Sequence, residues 1–338
     1  MVRIRLTRPF WENLSLSLIA LIVSLGIGEL IVRCCVSVRN VGPAFTVYHP
    51  LYGKMLKKSF SCQRITPEFT MKLTTNSDGF RGQAPEPSSH RSILFLGDSF
   101  TMGYGVNDGE EFPALVRKAL NERSPDSAPV INAGIGDNGN GRWVKFLRVE
   151  GKKYNPGLVV LQIHDNDFRD NIREQLFELS PEGKLRERPL PSPGARWSIQ
   201  SVVENVPGLA YSYLIGFVRQ IYWDRYSRRS DYDSDNRHIN QYRTMLEDHL
   251  LISILEEVMT ICKRERWEIL AVVVDISGNR LTELKKFFLA RNVSMIVIPA
   301  KKERPDLYYK VDGHWNALGH RFTADRIIEH LKGLSPNL

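Results

Sequence analysis

The feature that most constrains the fold of this chain is the apolar strand-like run Ser92–Leu96, which breaks off into Gly97-Asp98-Ser99 and a glycine-rich turn, Gly103-Tyr-Gly105. Four consecutive apolar residues, Ile93 to Leu96, show no polar alternation, the mark of a strand buried on both faces in a parallel sheet. Such a strand delivers the residues that follow it, here Ser99, to the carboxyl edge of the sheet, where open α/β folds bind ligands. Strand-like runs recur at Val130–Ala133, Leu158–Ile163, Ile269–Val274 and Val293–Ile298. Helical patterns interleave with them at Phe112–Arg123, Arg142–Gly151, Tyr242–Glu265, Arg280–Ala290 and Ala317–Leu331. This alternation predicts an α/β fold, a three-layer αβα sandwich with a central parallel sheet covered on both faces.

Ahead of that body, Leu14 to Val32 is an apolar run of 19 residues whose only charge is Glu29. The length suits a helix crossing a bilayer. Arg3, Arg5 and Arg8 precede it and Phe10 and Trp11 flank it, which favours an N-terminus inside and a body outside the cytoplasm. A cleaved signal peptide, with Gly26 and Gly28 as the small-residue pair, is the rival. Apolar character continuing through Leu30-Ile-Val32 favours an uncleaved anchor. The expected organisation is an anchor over 1–39, an extended lead-in over 40–90 rich in Pro, Ser, Thr and Lys, and the α/β domain over 91–338. That domain carries an insertion at about 171–240, where Pro189, Pro191 and Pro193 break the pattern. Within it Leu209, Tyr213, Phe217 and Ile221 recur every four residues, as in an amphipathic helix. Such a helix either packs on the core or forms a lid over the site.

The charge balance, 46 Lys and Arg against 38 Asp and Glu, leaves a formal +8. Without an aromatic-interleaved basic stripe this does not indicate nucleic acid, but it suits an anionic membrane or polymer. Cys34, Cys35, Cys62 and Cys262 show no metal spacing. Arg33 excludes a lipoprotein site at Cys34. Cys62 and Cys262 are either a disulfide formed outside the cytoplasm or buried thiols.

Near the end of the chain, Val311-Asp-Gly-His-Trp-Asn-Ala-Leu-Gly319 places Asp312 and His314 two residues apart, just ahead of a helix. A free serine hydroxyl is barely nucleophilic and needs a base. An imidazole titrates in the right range, so His314 suits that role, and Asp312 would fix its tautomer and stabilise the imidazolium. In an extended segment residues two apart share a side, so both could face Ser99. His320 reads as a helix-surface residue rather than a second base.

With Gly97-Asp98-Ser99, Asn132-Ala-Gly-Ile-Gly136, Asn166-Asp167 and the Asp312/His314 pair in this order, the chain resembles the SGNH hydrolases, or GDSL esterase/lipase superfamily. The segment Asn76-Ser-Asp-Gly-Phe-Arg-Gly82 resembles their membrane-anchored bacterial branch, and the matches span Asn76 to Leu331. Asp312-Gly-His-Trp315 resembles the alginate acetyltransferase-like members in particular. The resemblance implies Ser99 as nucleophile and an oxyanion hole formed by the Ser99 N–H, an N–H of the glycine loop and the Asn166 amide. It implies no metal or organic cofactor. The loop residue falls at Gly136 or, by a stricter count, at Asp137, whose carboxylate is tolerable only if it points away. His164-Asp165 also departs from the small residues usual before the Asn-Asp block.

Two other signals are set aside. Gly134-Ile-Gly-Asp-Asn-Gly139 matches a dinucleotide fingerprint but follows the second strand rather than opening the fold. Asp231-Tyr-Asp-Ser-Asp235 starts like a calcium loop, then has Asn236 at the glycine and Tyr242 at the final glutamate. The expectation is therefore a single-pass serine esterase or O-acyltransferase of the bacterial inner membrane, with its domain in the periplasm. Its partners would be O-acylated, chiefly O-acetylated, envelope glycans or small esters, with envelope polysaccharide machinery beside it. The alternatives are a lipid-ester or thioester hydrolase and a non-catalytic glycan-binding module of a polysaccharide secretion system.

Overall fold

The computed structural model describes residues 8–84, 90–124, 126–190, 193–206, 208–231 and 237–333. In order, the elements are helix α1 (Arg8–Cys35); strands β1 (Thr46–His49), β2 (Gly53–Leu56), β3 (Ser61–Ile65), β4 (Thr70–Thr74) and β5 (Ser92–Leu96); α2 (Ser99–Met102); and α3 (Phe112–Arg123). They continue with β6 (Val130–Asn132), α4 (Gly141–Val149), β7 (Pro156–His164), α5 (Asn166–Glu174), β8 (Phe177–Leu179), β9 (Leu185–Glu187) and α6 (Ala195–Asn205). The last are α7 (Tyr213–Asp231), α8 (Arg237–Glu265), β10 (Glu268–Val274), α9 (Gly278–Leu289), β11 (Ser294–Ile298) and α10 (Ala317–Gly333).

Five parallel strands form the central sheet in the order β6-β5-β7-β10-β11. Because strand side chains alternate, the apolar runs divide between two cores. Leu94, Leu96, Val159, Leu161, Ala271 and Val273 join the core beneath α4, α8 and α9. Ile93, Phe95, Leu158, Val160, Leu270, Val272 and Val274 join the core beneath α3 and α10. This is the predicted three-layer α/β sandwich. The strand order reverses direction between β5 and β7, and at that switch point the loops after both strands frame a crevice.

The stretch 40–90 adds two antiparallel hairpins, β1–β2 and β3–β4, which composition did not reveal. Tyr52, Met55, Leu56, Met71, Leu73 and Phe80 are buried in the same core as α4 and α8. Arg81, with 2% of its surface exposed, is the hub of this region. Its guanidinium donates to the carbonyls of Lys72, Met102, Gly103 and Val106 and pairs with Asp108. It thereby clamps the turn that follows Ser99 to the β4 hairpin.

Helix α1, of 28 residues and about 42 Å at 1.5 Å per residue, is long and apolar enough to cross a membrane. Its apolar side chains from Leu14 to Ile31 are exposed, unlike those of a core helix. Its C-terminal end docks on the domain. Val32 packs with Val38, Val41, Tyr213, Leu214 and Phe217. The Glu29 carboxylate accepts the Ser212 hydroxyl at 2.7 Å and the backbone N–H groups of Tyr213 and Leu214 at 2.9 Å. The one charge in the apolar run therefore caps the N-terminus of α7, whose first N–H groups have no intrahelical partner.

Several expectations are revised. His320 does not lie on a helix surface: it is wholly buried, stacked on Phe112, and accepts the Phe112 N–H at its Nδ1 (3.3 Å). Burial lowers its pKa to about 3, so it is neutral at ordinary pH. The four-residue repeat holds for Tyr213, Phe217 and Ile221 on α7, while Leu209 sits in a preceding 3-10 turn. Cys62 and Cys262 are buried free thiols. Arg3 and Arg5, and most of the Asp231–Asp235 run, lie outside the described residues. Replacing Arg81 by Met would strand Asp108 and buried Glu111 without their cation. Urea unfolding is expected to show a loss of about 3–5 kcal/mol; a loss below about 1 kcal/mol would contradict the clamp.

Candidate active site

Ser99 opens α2 at the carboxyl end of β5. The buried Asp98 caps that helix by accepting the Phe100 N–H at 2.8 Å. Residue 97 has to be glycine, since a Cβ there would lie 2.1 Å from Thr101 Oγ1 and 2.5 Å from Gln162 Oε1. This close approach seats the start of α2 directly on β7. Ser99 itself remains partly exposed.

The loop between β11 and α10 brings the late pair to it. The Ser99 hydroxyl donates to His314 Nε2 at 2.7 Å, and His314 Nδ1–H donates to Asp312 Oδ1. About a quarter of the His314 and Asp312 side chains is exposed (25% and 23%), so the line faces an open cleft. Phe100 and Tyr104 flank the imidazole, with ring centroids at 5.1 and 4.9 Å. Trp315, fully buried against Phe100 and Phe112, anchors the loop from below.

Glu68, at the tip of the β3–β4 hairpin, was not legible as a site residue. Its carboxylate accepts the Val311 and Asp312 N–H groups at 2.9 and 2.7 Å, fixing the loop that carries Asp312. Tyr309 adds a second tie, donating its hydroxyl to the Gly105 carbonyl at 2.8 Å.

On the other side of Ser99 runs the glycine loop after β6. A Cβ built on Gly136 would lie 3.3 Å from Ser99 Cβ, so the Gly136 backbone abuts Ser99. Asp137 has φ 58°, and its carboxylate is turned onto Arg173 (2.6 Å) and Lys54 (3.5 Å). The concern about a carboxylate beside the oxyanion is therefore met by two cations, one of them from β2. Farther along, Glu174 accepts the Gly139 N–H at 2.9 Å, and Asn140 donates to buried Asp167 at 2.9 Å. Burial and then the neighbouring Asp98 carboxylate raise the Asp167 carboxyl well above its ordinary range.

Asn166, the first residue of α5, follows β7 across the switch point. Its side chain is held at both ends: Oδ1 accepts from His164 Nδ1 at 2.5 Å, and Nδ2 donates to Asp170 Oδ2 at 3.1 Å. The His164 ring stacks on Phe100 at 4.7 Å. The unusual His164 thus links the Asn166 amide to Phe100, the residue after Ser99, a contact that the sequence pattern did not signal. The structure brings Ser99, His314 and Asp312 together on one hydrogen-bonded line, with the Gly136 backbone beside Ser99. Among the described residues no cluster of His, Cys, Asp and Glu suits a metal ion.

No protein-family model matches the chain, and no curated protein matches it. Among solved structures it is similar to the psychrotrophic esterase EstA from Pseudoalteromonas sp., at 12% identity and TM-score 0.40, covering 72% of this chain and 97% of that one. It is also similar to a two-domain esterase (CEX) active on acetylated mannans, at 12% identity and TM-score 0.40, covering 72% of this chain and 49% of that one. A third is AlinE4, an SGNH-hydrolase family esterase, at 16% identity and TM-score 0.36, covering 74% of this chain and 100% of that one. At such distances the chemistry of this chain has to rest on its own geometry.

That geometry carries a pH signature. Burial raises the Glu174 carboxyl from 4.5 to about 7, outweighing Lys54, the Gly139 N–H and Arg173, which pull it down. An acid whose pKa is higher folded than unfolded binds more protons in the folded state, so stability falls as pH rises from about 4.5 to about 7. Glu174→Gln is expected to remove on the order of 1–2 kcal/mol of that fall. Urea unfolding at both ends of the window measures it, and equal pH dependence in the two proteins would contradict it.

Proposed function

We propose that this chain is a membrane-anchored serine esterase or O-acyltransferase acting on O-acylated, foremost O-acetylated, glycans outside the cytoplasm. The observation that carries the reading is the Ser99–His314–Asp312 line at the switch point of the sheet. Ser99 Oγ attacks the ester carbonyl carbon while its proton passes to His314 Nε2. The Asp312 carboxylate holds Nδ1–H and stabilises the imidazolium. The carbonyl oxygen, now an oxyanion, would be met by the Ser99 and Gly136 N–H groups and the Asn166 amide. The imidazolium then protonates the leaving alkoxide oxygen as its bond to carbon breaks, leaving an acyl group on Ser99. Water, or a sugar hydroxyl in a transferase, loses its proton to His314, attacks the acyl carbon and frees Ser99.

The site needs no resident metal or organic cofactor for these steps. The exposed, apolar α1 supports anchoring, and its docked outer end, Glu29 and Val32, supports the helix being kept rather than removed. With the N-terminus inside, the domain faces the periplasm of a bacterial inner membrane. A non-catalytic glycan binder is disfavoured, because such a module has no use for a proton-transfer line from serine to histidine to carboxylate.

The test is acetate release from an acetylated oligosaccharide by the full chain. Ser99→Ala is expected to lower kcat by about 10⁴-fold or more. Asn166→Ala is expected to lower it by about 10²–10³-fold with folding intact. Undiminished turnover in Ser99→Ala would refute the mechanism.

A further inference from the structure

The polypeptide leaving α1 becomes a wall of the candidate cleft. Asn40 lies five residues beyond Cys35, the last residue of α1, so at most about 18 Å of extended chain separates them. The Asn40 side chain accepts the Tyr104 hydroxyl at 2.5 Å, and the Tyr104 ring lies 4.9 Å from the His314 ring. Val38, between them, and Val41, just beyond Asn40, are buried with Val32 against α7, so this short stretch is packed rather than a loose tether. The nucleophile therefore stands close to the outer end of the helix that is read as crossing the membrane.

A second observation lies on the same side. Helix α6 turns Gln200 and Glu204 inward, onto the Thr46 carbonyl (2.7 Å) and onto the Ala44 N–H (3.2 Å) and Lys57 (2.6 Å). Its opposite stripe, Ile199, Val202 and Val206, is 63%, 64% and 46% exposed, and Tyr211 follows at 39%. Ser212, next in the chain, is bonded to Glu29 on α1. Val206 lies six residues before Ser212, so at most about 22 Å of chain separates the end of this apolar stripe from the Glu29 contact on α1. Arg33, on the last turn of α1, is 57% exposed, and a cation at the end of a membrane-crossing helix suits the headgroup level. A helix with one exposed apolar face suits the plane of a membrane interface.

We propose that the cleft opens at the bilayer surface, with α6 lying in the interface, and that its substrates are amphiphiles: an apolar tail in the membrane and an O-acylated sugar head at the interface. This rests on the acyl-transfer reading above. Confinement to the same surface raises the effective concentration of such a substrate at Ser99 without any added contact.

The full chain in vesicles containing phosphatidylglycerol is given dodecyl 6-O-acetylglucoside or methyl 6-O-acetylglucoside, which share the reacting ester and differ in the tail. The ratio of kcat/KM, dodecyl over methyl, is expected to be about 10 or more. It is expected to drop several-fold in Ile199→Asp/Val202→Asp. A nitroxide on Val202→Cys, with Cys34 and Cys35 replaced by Ser, is expected to collide with dissolved oxygen more than with an aqueous nickel chelate. Turnover of the methyl glucoside with a ratio of one or less overturns the proposal and leaves the esterase reading standing. Turnover of neither glucoside counts against the esterase reading, and the nitroxide then decides the geometry alone. A label exposed to nickel overturns the interfacial placement, and one exposed to oxygen upholds it.

Discussion

A single hydrogen bond, from Ser99 to His314, joins residues 215 positions apart, and the arrangement of the whole molecule can be understood from what it takes to keep that contact. Such a bond contributes only about 1 kcal/mol net, far too little to draw two loops together. The scaffold must therefore deliver both groups. Strand β5 brings Ser99 to the carboxyl edge, Trp315 seats the late loop on the core beneath α3 and α10, and Glu68 and Tyr309 fix its backbone. Arg81 then holds the turn after Ser99 by three carbonyl oxygens and ties it to the Lys72 carbonyl of β4. The groups that would react are placed before any substrate arrives, so little has to be reorganised during the reaction.

The central sheet was legible because its strands are buried on both faces, and such strands read as unbroken apolar runs. Strand β5 and helix α3 fall on the expected residues, and the other sheet strands within one or two positions. That Ser99, Asp312 and His314 would meet was legible because a serine after a sheet strand and an Asp/His pair two residues apart are the residue types of one proton-transfer line. Glu68, His164 and Lys54 were not. Each acts through a backbone or side-chain contact with a partner set by tertiary packing, and nothing local marks a carboxylate that caps a distant loop. The β3–β4 hairpin did carry a usable signal: Cys62 and Arg64, then Met71 and Leu73, are buried at alternate positions. Polar and charged residues between them hid that period within a stretch rich in Ser, Thr and Lys. His320 was misread because a titratable side chain next to Arg321 reads as solvated, although the residue itself faces Phe112 and Trp315.

The N-terminal helix and the domain are usually treated as separate parts, a tether and a cargo. Here the contacts of Glu29 and Val32 with α7, and of Asn40 with Tyr104, make the end of the helix part of the folded body. A charge that looked out of place in an apolar run is explained by the helix terminus that it caps. The same contacts fix the end of α1 relative to the Ser99 side of the domain, which a flexible linker could not do.

The central claim is that Ser99 is an activated nucleophile. Intact-mass spectrometry of the full chain in detergent, after exposure to a fluorophosphonate, tests it most directly, since Ser99 Oγ would displace fluoride and keep the phosphonyl group. The account predicts one adduct, on Ser99, absent from Ser99→Ala and formed much more slowly by His314→Ala. A folded protein that takes up no phosphonyl group, or takes it up elsewhere, would contradict it.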